Sequence, residues 1–292
     1  MAGLKEIRTR IASVKTTRQV TSAMKMVSAA KLKKAQDAIM QIRPYAEKLH
    51  QILTSLSASL ENVEGSVYTQ AREPEKVLVI LVSSNRGLCG GFNANVSKKA
   101  IELAATTYAQ QQKLGKLDFM CIGKQGERQL KHRGFKVVAN ENSLFEELSF
   151  ENVSKVAEAA MKAFEDKTYD RVELVYNQFK NAAVQVQSTE QFLPVKMEEV
   201  NDSNTNFNFI YEPSKENIIK ELIPRSLKIQ FYKALLDSNA AEHGARMTAM
   251  HQATDNATTL IGDLTLEYNK ARQAAITGEI LEIVGGAEAL RG

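Results

Sequence analysis

Apolar residues recur along this chain at two different periods, and the change of period divides it into parts. Leu4, Ile7, Ile11 and Val14 alternate by three and four. The stripe drifts through Val20, Met24, Val27 and the small residues Ser28, Ala29 and Ala30. It resumes as Leu32, Ala35, Ile39, Ile42, Ala46, Leu49, Leu53, Leu56 and Leu60. A narrow stripe at a period of 3.5 is the seam of a coiled coil, because that period keeps one face turned to a partner helix. The pattern predicts one helix over 4–60, kinked at Pro44, where a backbone donor is missing. Such a helix spans roughly 85 Å, longer than a compact domain needs.

The helical period breaks at Asn62–Pro74, a polar linker. Val77–Val82 (VLVILV) is then apolar without interruption, as in a strand buried on both faces of a parallel sheet. A helix is predicted from Asn95 to about Leu114, a strand at Leu117–Ile122 and a short helix from Gly126 to His132. Further strands follow at Phe135–Ala139 and Arg171–Phe179, with a helix over Glu151–Lys167 between them. Ala183–Val195 completes a hairpin after Lys180–Asn181. Strands alternating with helices imply a mostly parallel sheet. Asn201–Pro213 reads as a polar return loop with a possible strand at Phe207–Tyr211. Ser214 can cap the next helix, which starts there or after a bend at Pro224. Its seam is Met247, Met250, Thr254, Ala257, Ile261, Leu264, Tyr268, Ala271 and Ala275, rich in small residues that let a partner come close.

The expected organisation is a helix over 1–62, an α/β domain over 75–200 and a second long helix over 214–292. The fold class is α/β: a long antiparallel coiled coil of the N- and C-terminal helices, with a Rossmann-like α/β domain inserted. The second helix, at roughly 65–75 residues against roughly 57, overhangs the first by roughly 15–25 Å. That overhang, Asn269–Leu290, is apolar on more than one face. Ile276, Ile280, Leu281, Ile283 and Val284 wrap the axis, with Arg272, Gln273, Thr277 and Glu279 between them. Bare in water it would be sticky, so its apolar faces call for a sleeve from another protein.

Charge changes the picture at the other end. The net charge of the chain is +4, yet residues 1–50 hold eleven Lys and Arg against Glu6, Asp37 and Glu47, a local +8. A solvated helix face explains that, as does an acidic protein surface, and then nucleic acid or anionic lipid. Tyr45 is the one aromatic residue there, so base stacking has no support. No apolar run approaches the roughly 18–20 residues of a membrane span. The start, MAGLKEIRTR, lacks an apolar signal core. Cys89 and Cys121 have neither metal nor redox spacing, which fits a reducing compartment. The expectation is a cytosolic protein, or one held at a membrane only through partners.

The chemistry is sparse. Gly87–Asn93 (GLCGGFN) sits between strand and helix, where a dinucleotide fingerprint would, but its glycine spacing differs from G-x-G-x-x-G. A tight turn or a partner surface is the plainer reading, with Cys89 structural. His50, His132, His243 and His251 are scattered, and no nucleophile, base and acid can be grouped. Glu242 and Asp255 read as surface charges. No catalytic, cofactor or metal site is expected. Arg246 beside Met247 and Met250, and Arg272 beside Gln273, are either solvated or paired with a surrounding protein.

Five stretches together carry a resemblance: SAMKMVSAAKLKKAQ (22–36), RPYA (43–46), SSNRGLCGGFN (83–93), EHGARMTAMHQATDNA (242–257) and YNKARQAAITGEILEIVGGAEAL (268–290). In that order, from end to end, they resemble the gamma subunits of ATP synthase, in the bacterial form. The resemblance implies a central stalk rotor whose coiled coil stands in a ring of three alpha and three beta subunits. Its α/β foot would bind epsilon and the membrane ring of c subunits, and proton-driven rotation would drive ATP synthesis on beta, none on gamma. It implies no cofactor, no nucleic acid, and a place at the cytoplasmic face of the bacterial inner membrane. By position, Arg272, Gln273, Thr277 and Glu279 match the residues that contact loops of beta. Met24 and Lys25 match those that meet its acidic lever, and Arg246 matches a position coupled to them. Ile276, Ile280, Ile283 and Val284 would be bearing surface. Gly278 fills the variable place of the I-T-x-E motif and softens the helix there by about 1 kcal/mol against alanine. Two rivals remain at this point: a soluble nucleotide-dependent enzyme, and a nucleic-acid or membrane-surface binder using the basic first helix.

Overall fold

The computed structural model describes residues 3–58, 67–195 and 215–290. The expected loop at Asn201–Pro213, its strand at Phe207–Tyr211, the Ser214 cap and linker residues 62–66 lie outside the described residues. So do the side chains of the seam positions Leu53, Leu56 and Leu60.

Helix α1 (Leu4–Ala58) runs on through Pro44. After a 3-10 turn at Val67–Thr69 come β1 (Val77–Val82), α2 (Phe92–Thr106), α3 (Ala109–Lys113), β2 (Leu117–Ile122), α4 (Lys124–His132) and β3 (Val137–Asn140). Then follow α5 (Phe150–Glu165), β4 (Arg171–Phe179), β5 (Gln185–Leu193) and α6 (Lys215–Ala289). The strands lie in the order β3-β2-β1-β4-β5, parallel except for the antiparallel β4–β5 hairpin. The helix predicted from Asn95 is instead two. It breaks at Tyr108 because the ring turns into the core, where its hydroxyl donates to Glu173 Oε1 at 2.7 Å. Phe135, predicted as strand, stacks edge-on against Phe119, 5.2 Å between centroids, and β3 begins two residues later.

By its contacts the chain divides into two compact units, Met1–Ser28 with Met247–Gly292, and Ala29–Arg246. The larger unit is built on β1, all of whose residues are buried. Alternate side chains point to opposite faces of a strand. Val77, Val79 and Leu81 therefore meet Val96, Ala100 and Ala104 of α2 and Leu130 of α4. Leu78, Ile80 and Val82 meet Val153, Ala157, Met161 and Phe164 of α5, together with Leu227, Phe231 and Leu235 of α6. Ser149 caps α5, accepting a hydrogen bond from the Asn152 amide at 3.3 Å. Pro224 lies inside α6, between Ile223 and Leu227, both buried; packing on the sheet holds the helix where propensity alone would stop it.

The smaller unit is an antiparallel pair, the first turns of α1 against the last turns of α6. Its α6 seam follows the prediction as far as Ala271: Met250, Ala257 and Leu264 are buried, and Thr254, Ile261, Tyr268 and Ala271 half-buried. The α1 seam differs from expectation between Val14 and Leu32. Val20 and Val27 face outward at 53% and 57% exposure, and Thr21 and Ser28 hold the buried places. The hydroxyls make that possible. Thr254 Oγ1 donates to Thr21 Oγ1 at 2.8 Å, and Ser28 Oγ donates to the Met24 carbonyl at 2.7 Å. There is no drift; the seam changes from apolar to small and polar.

Candidate functional site

Cross-pairs set the register of the smaller unit. Thr21 lies beside Thr254, and Lys25 Nζ is 3.4 Å from Nδ1 of His251, which is itself 3.3 Å from Asp255 Oδ2. Farther along, Arg8 Nη2 donates to the Tyr268 hydroxyl at 2.7 Å, its guanidinium 5.7 Å from the ring centroid. Each turn back along α1 is thus matched by a turn forward along α6, and the same step places Leu4 beside Arg272. From Gln273 to Ala289, roughly 25 Å of helix, α6 has no α1 residue opposite it.

The consequence is visible in the exposure of the tip. Ile276, Ile280, Ile283 and Val284 are exposed by 49%, 54%, 71% and 53%, and Leu281 by 65%. Arg272, Gln273, Thr277 and Glu279 are exposed among them, and Ala275, the last predicted seam position, is exposed too because α1 has ended. Large apolar side chains on every face of one exposed helix end are characteristic of a surface covered by another protein. Met24 and Lys25 are half-buried in the same unit, near the other end of the α1 stretch.

Arg246 belongs to the larger unit and is turned inward. Nη1 pairs with Glu242 Oε1 at 2.6 Å, and both side chains are about nine-tenths buried. Nη2 donates to the carbonyls of Arg86 and Gly87 at 3.2 and 3.3 Å. Nη1 lies 3.4 Å from His243 Nδ1. Burial, with Arg246 and Lys31 nearby, pushes the imidazole down to about 4, so His243 is neutral and accepts at Nδ1. Burial raises the Glu242 carboxyl, and the Arg246 charge opposes that. Glu242 is therefore no surface charge. Its spacing of four from Arg246 was the available signal, since that spacing lets an acid and a base on a helix touch.

Ser84, Cys89 and Asn93 bond to one another in the loop after β1 and the first turn of α2. The Ser84 amide and hydroxyl both donate to Asn93 Oδ1, at 3.0 and 3.1 Å, and Asn93 Nδ2 donates to Cys89 Sγ at 3.2 Å. Leu88 and Gly90 turn the chain at φ of 62° and 58°. Cys89 and Phe92 then pack on Ala241 and Ala245 of α6. Burial pushes the Cys89 thiol up, and the Cys121 thiol up to about 12, so neither is a ready nucleophile. Among the described residues no group of three or more His, Cys, Asp or Glu is placed to hold a metal ion.

Comparison with known proteins covers the whole chain. A sequence profile described as ATP synthase matches residues 3–290. The chain is 57% identical over 292 residues to the ATP synthase gamma chain of Flavobacterium johnsoniae, covering all of both. It is 54% identical over 293 residues to that of Cytophaga hutchinsonii, covering 99% of each. In fold it is similar to chains in two solved structures of the Euglena gracilis mitochondrial ATP synthase. For the OSCP/F1/c-ring in rotational state 3, the TM-score is 0.70 at 21% identity, over 98% of this chain and 94% of that one. For the rotor in rotational state 1, it is 0.67 at 20% identity, over 94% and 98%.

Proposed function

This chain belongs to the ATP synthase gamma-chain family, and we propose on that footing that it is the central rotor of a proton-driven ATP synthase. The observation that supports this reading most is the tip of α6, where Ile276, Ile280, Ile283 and Val284 are all exposed past the end of α1. A ring of three alpha and three beta subunits supplies the missing sleeve. Apolar contact is non-directional, so such a surface slides without hydrogen bonds to break at each step. These four residues are the bearing.

The coupling follows from symmetry. A pair of unequal helices has no three-fold axis, so a three-fold ring meets a different face of it at each beta subunit. Turning the pair exchanges those faces, and the three catalytic sites on beta change state in sequence. Arg272, Gln273, Thr277 and Glu279 contact beta loops at the tip, while Met24 and Lys25 meet an acidic surface of beta. Arg246 acts through the packing of α6 rather than by direct reach. The gamma chain has no catalytic site and no cofactor of its own. The α/β unit binds epsilon and the c-ring, and the chain has no need of nucleic acid. No described helix is long and apolar enough to cross a membrane. Attachment at the cytoplasmic face of the bacterial inner membrane is through these partners.

The test is co-expression with the alpha and beta subunits and purification of the product. A complex of three alpha, three beta and one gamma with ATPase activity is expected. Alpha and beta that assemble without retaining this chain would end the reading.

A further inference from the structure

In open sheets of this topology, ligands bind in the crevice outside the carboxyl ends of the strands, where the strand order reverses. Here that point lies between β1 and β4, since the chain moves one way to β2 and β3 and the other way to β4 and β5. The crevice walls are the loop after β1, Ser83–Gly91, and the β4–β5 turn at 180–184. Both are occupied by one turn and a half of α6. Ala241 and Ala245 pack on Cys89 and Phe92. Gly244 lies against the turn so closely that a Cβ would stand 3.2 Å from both the Cα and the carbonyl oxygen of Ala182. Arg246, held by Glu242, donates to the Arg86 and Gly87 carbonyls.

We propose that α6 is itself the ligand of this crevice. The switch point of the sheet grips a helix of its own chain where related topologies grip a nucleotide, and the grip is a fixed joint that makes the sheet and the 241–246 stretch of α6 turn together. The close approach at Gly244, the alanine pair and the buried ion pair act as positioning groups on α6. Arg246 is held by carbonyls of the β1 loop, Gly244 lies on the Ala182 backbone of the β4–β5 turn, and the alanines pack on the Cys89 and Phe92 side chains, so torque on the sheet reaches the helix through buried, closely packed groups. This inference rests on the rotor reading given above.

The test uses the assembled, membrane-reconstituted enzyme with Gly244→Ala and Gly244→Val, whose side chains press on the Ala182 backbone. ATP hydrolysis within about twofold of the parent, with proton transport per ATP falling at least threefold in Gly244→Val and less in Gly244→Ala, is expected. A loss of fold alone would lower both rates together. Unchanged transport in Gly244→Val would overturn the joint while leaving the rotor reading intact. If that variant fails to assemble, Gly244→Ala decides by the same ratio: a fall in proton transport per ATP supports the joint, and an unchanged ratio overturns it.

Discussion

Two titrating residues of the larger unit oppose each other. Asp237 is buried, facing Lys233 of its own helix, Arg43 of α1, Glu190 of β5 and Tyr176 of β4. Burial raises its carboxyl from an ordinary 3.8 to about 6, Lys233 and Arg43 only partly opposing. The folded state thus holds this proton more tightly than the unfolded state, and stability from Asp237 is lost as pH rises from about 4 to about 6. His243 has the reverse sign. Its value falls from 6.5 to about 4, so its contribution is lost as pH falls through that window. Asp237→Asn should be more stable than the parent at pH 7.5 by up to about 3 kcal/mol, one pKa unit being about 1.4 kcal/mol. The advantage should shrink toward pH 4, and denaturant melts of the full chain at several pH values measure it. Equal stability at pH 7.5 would mean that Asp237 keeps its charge at no expense. At Gly278 a Cβ would meet nothing within 4 Å. Gly278→Ala should stiffen the tip by about 1 kcal/mol, read as helicity retained at higher temperature in far-ultraviolet circular dichroism.

Among the elements, the strands were the most legible. Residues 77–82, 117–122 and 171–179 match prediction: the first is a continuous apolar run, and the other two hold β-branched, aromatic and other apolar residues that the core buries. The α1 seam was less so. Period analysis weights Val20 and Val27 as core, but Thr21 and Ser28 take the interface, because a hydroxyl paired across or along the helices is as well placed as a methyl and smaller. The end of α6 was legible as an anomaly, apolar on too many faces for its length. Among the described residues, removing Ile276–Gly292 takes away exposed positions apart from the half-buried Gly278, so the melting temperature of the truncated chain should stay within a few degrees of the parent. Assembly with alpha and beta should weaken. A collapsed α/β unit in the truncated chain would show that the tip packs internally.

At the scale of the whole molecule, occupancy of the switch-point crevice bears on the nucleotide question. Cys89 and Phe92 pack on α6, and Arg246 of α6 bonds the Arg86 and Gly87 carbonyls, so the helix fills the place where a phosphate would sit. Calorimetry of the isolated chain with ATP should therefore register no binding at micromolar concentrations. A micromolar heat of binding would revive the enzyme reading. Periodicity and the switch from helical to strand patterning determined the two long helices, the inserted sheet and the unpaired tip, because those depend on local spacing along the chain. What only the tertiary structure decided is which polar groups are buried. Asp237 and Thr21 carry no local mark of burial, and the spacing of four between Glu242 and Arg246 marks a pair without saying that it is buried. Arg246 and Thr21 are tolerated inside because distant residues, Arg86 and Gly87 or Thr254, satisfy them, and the pairing of residues far apart in sequence is set by the fold.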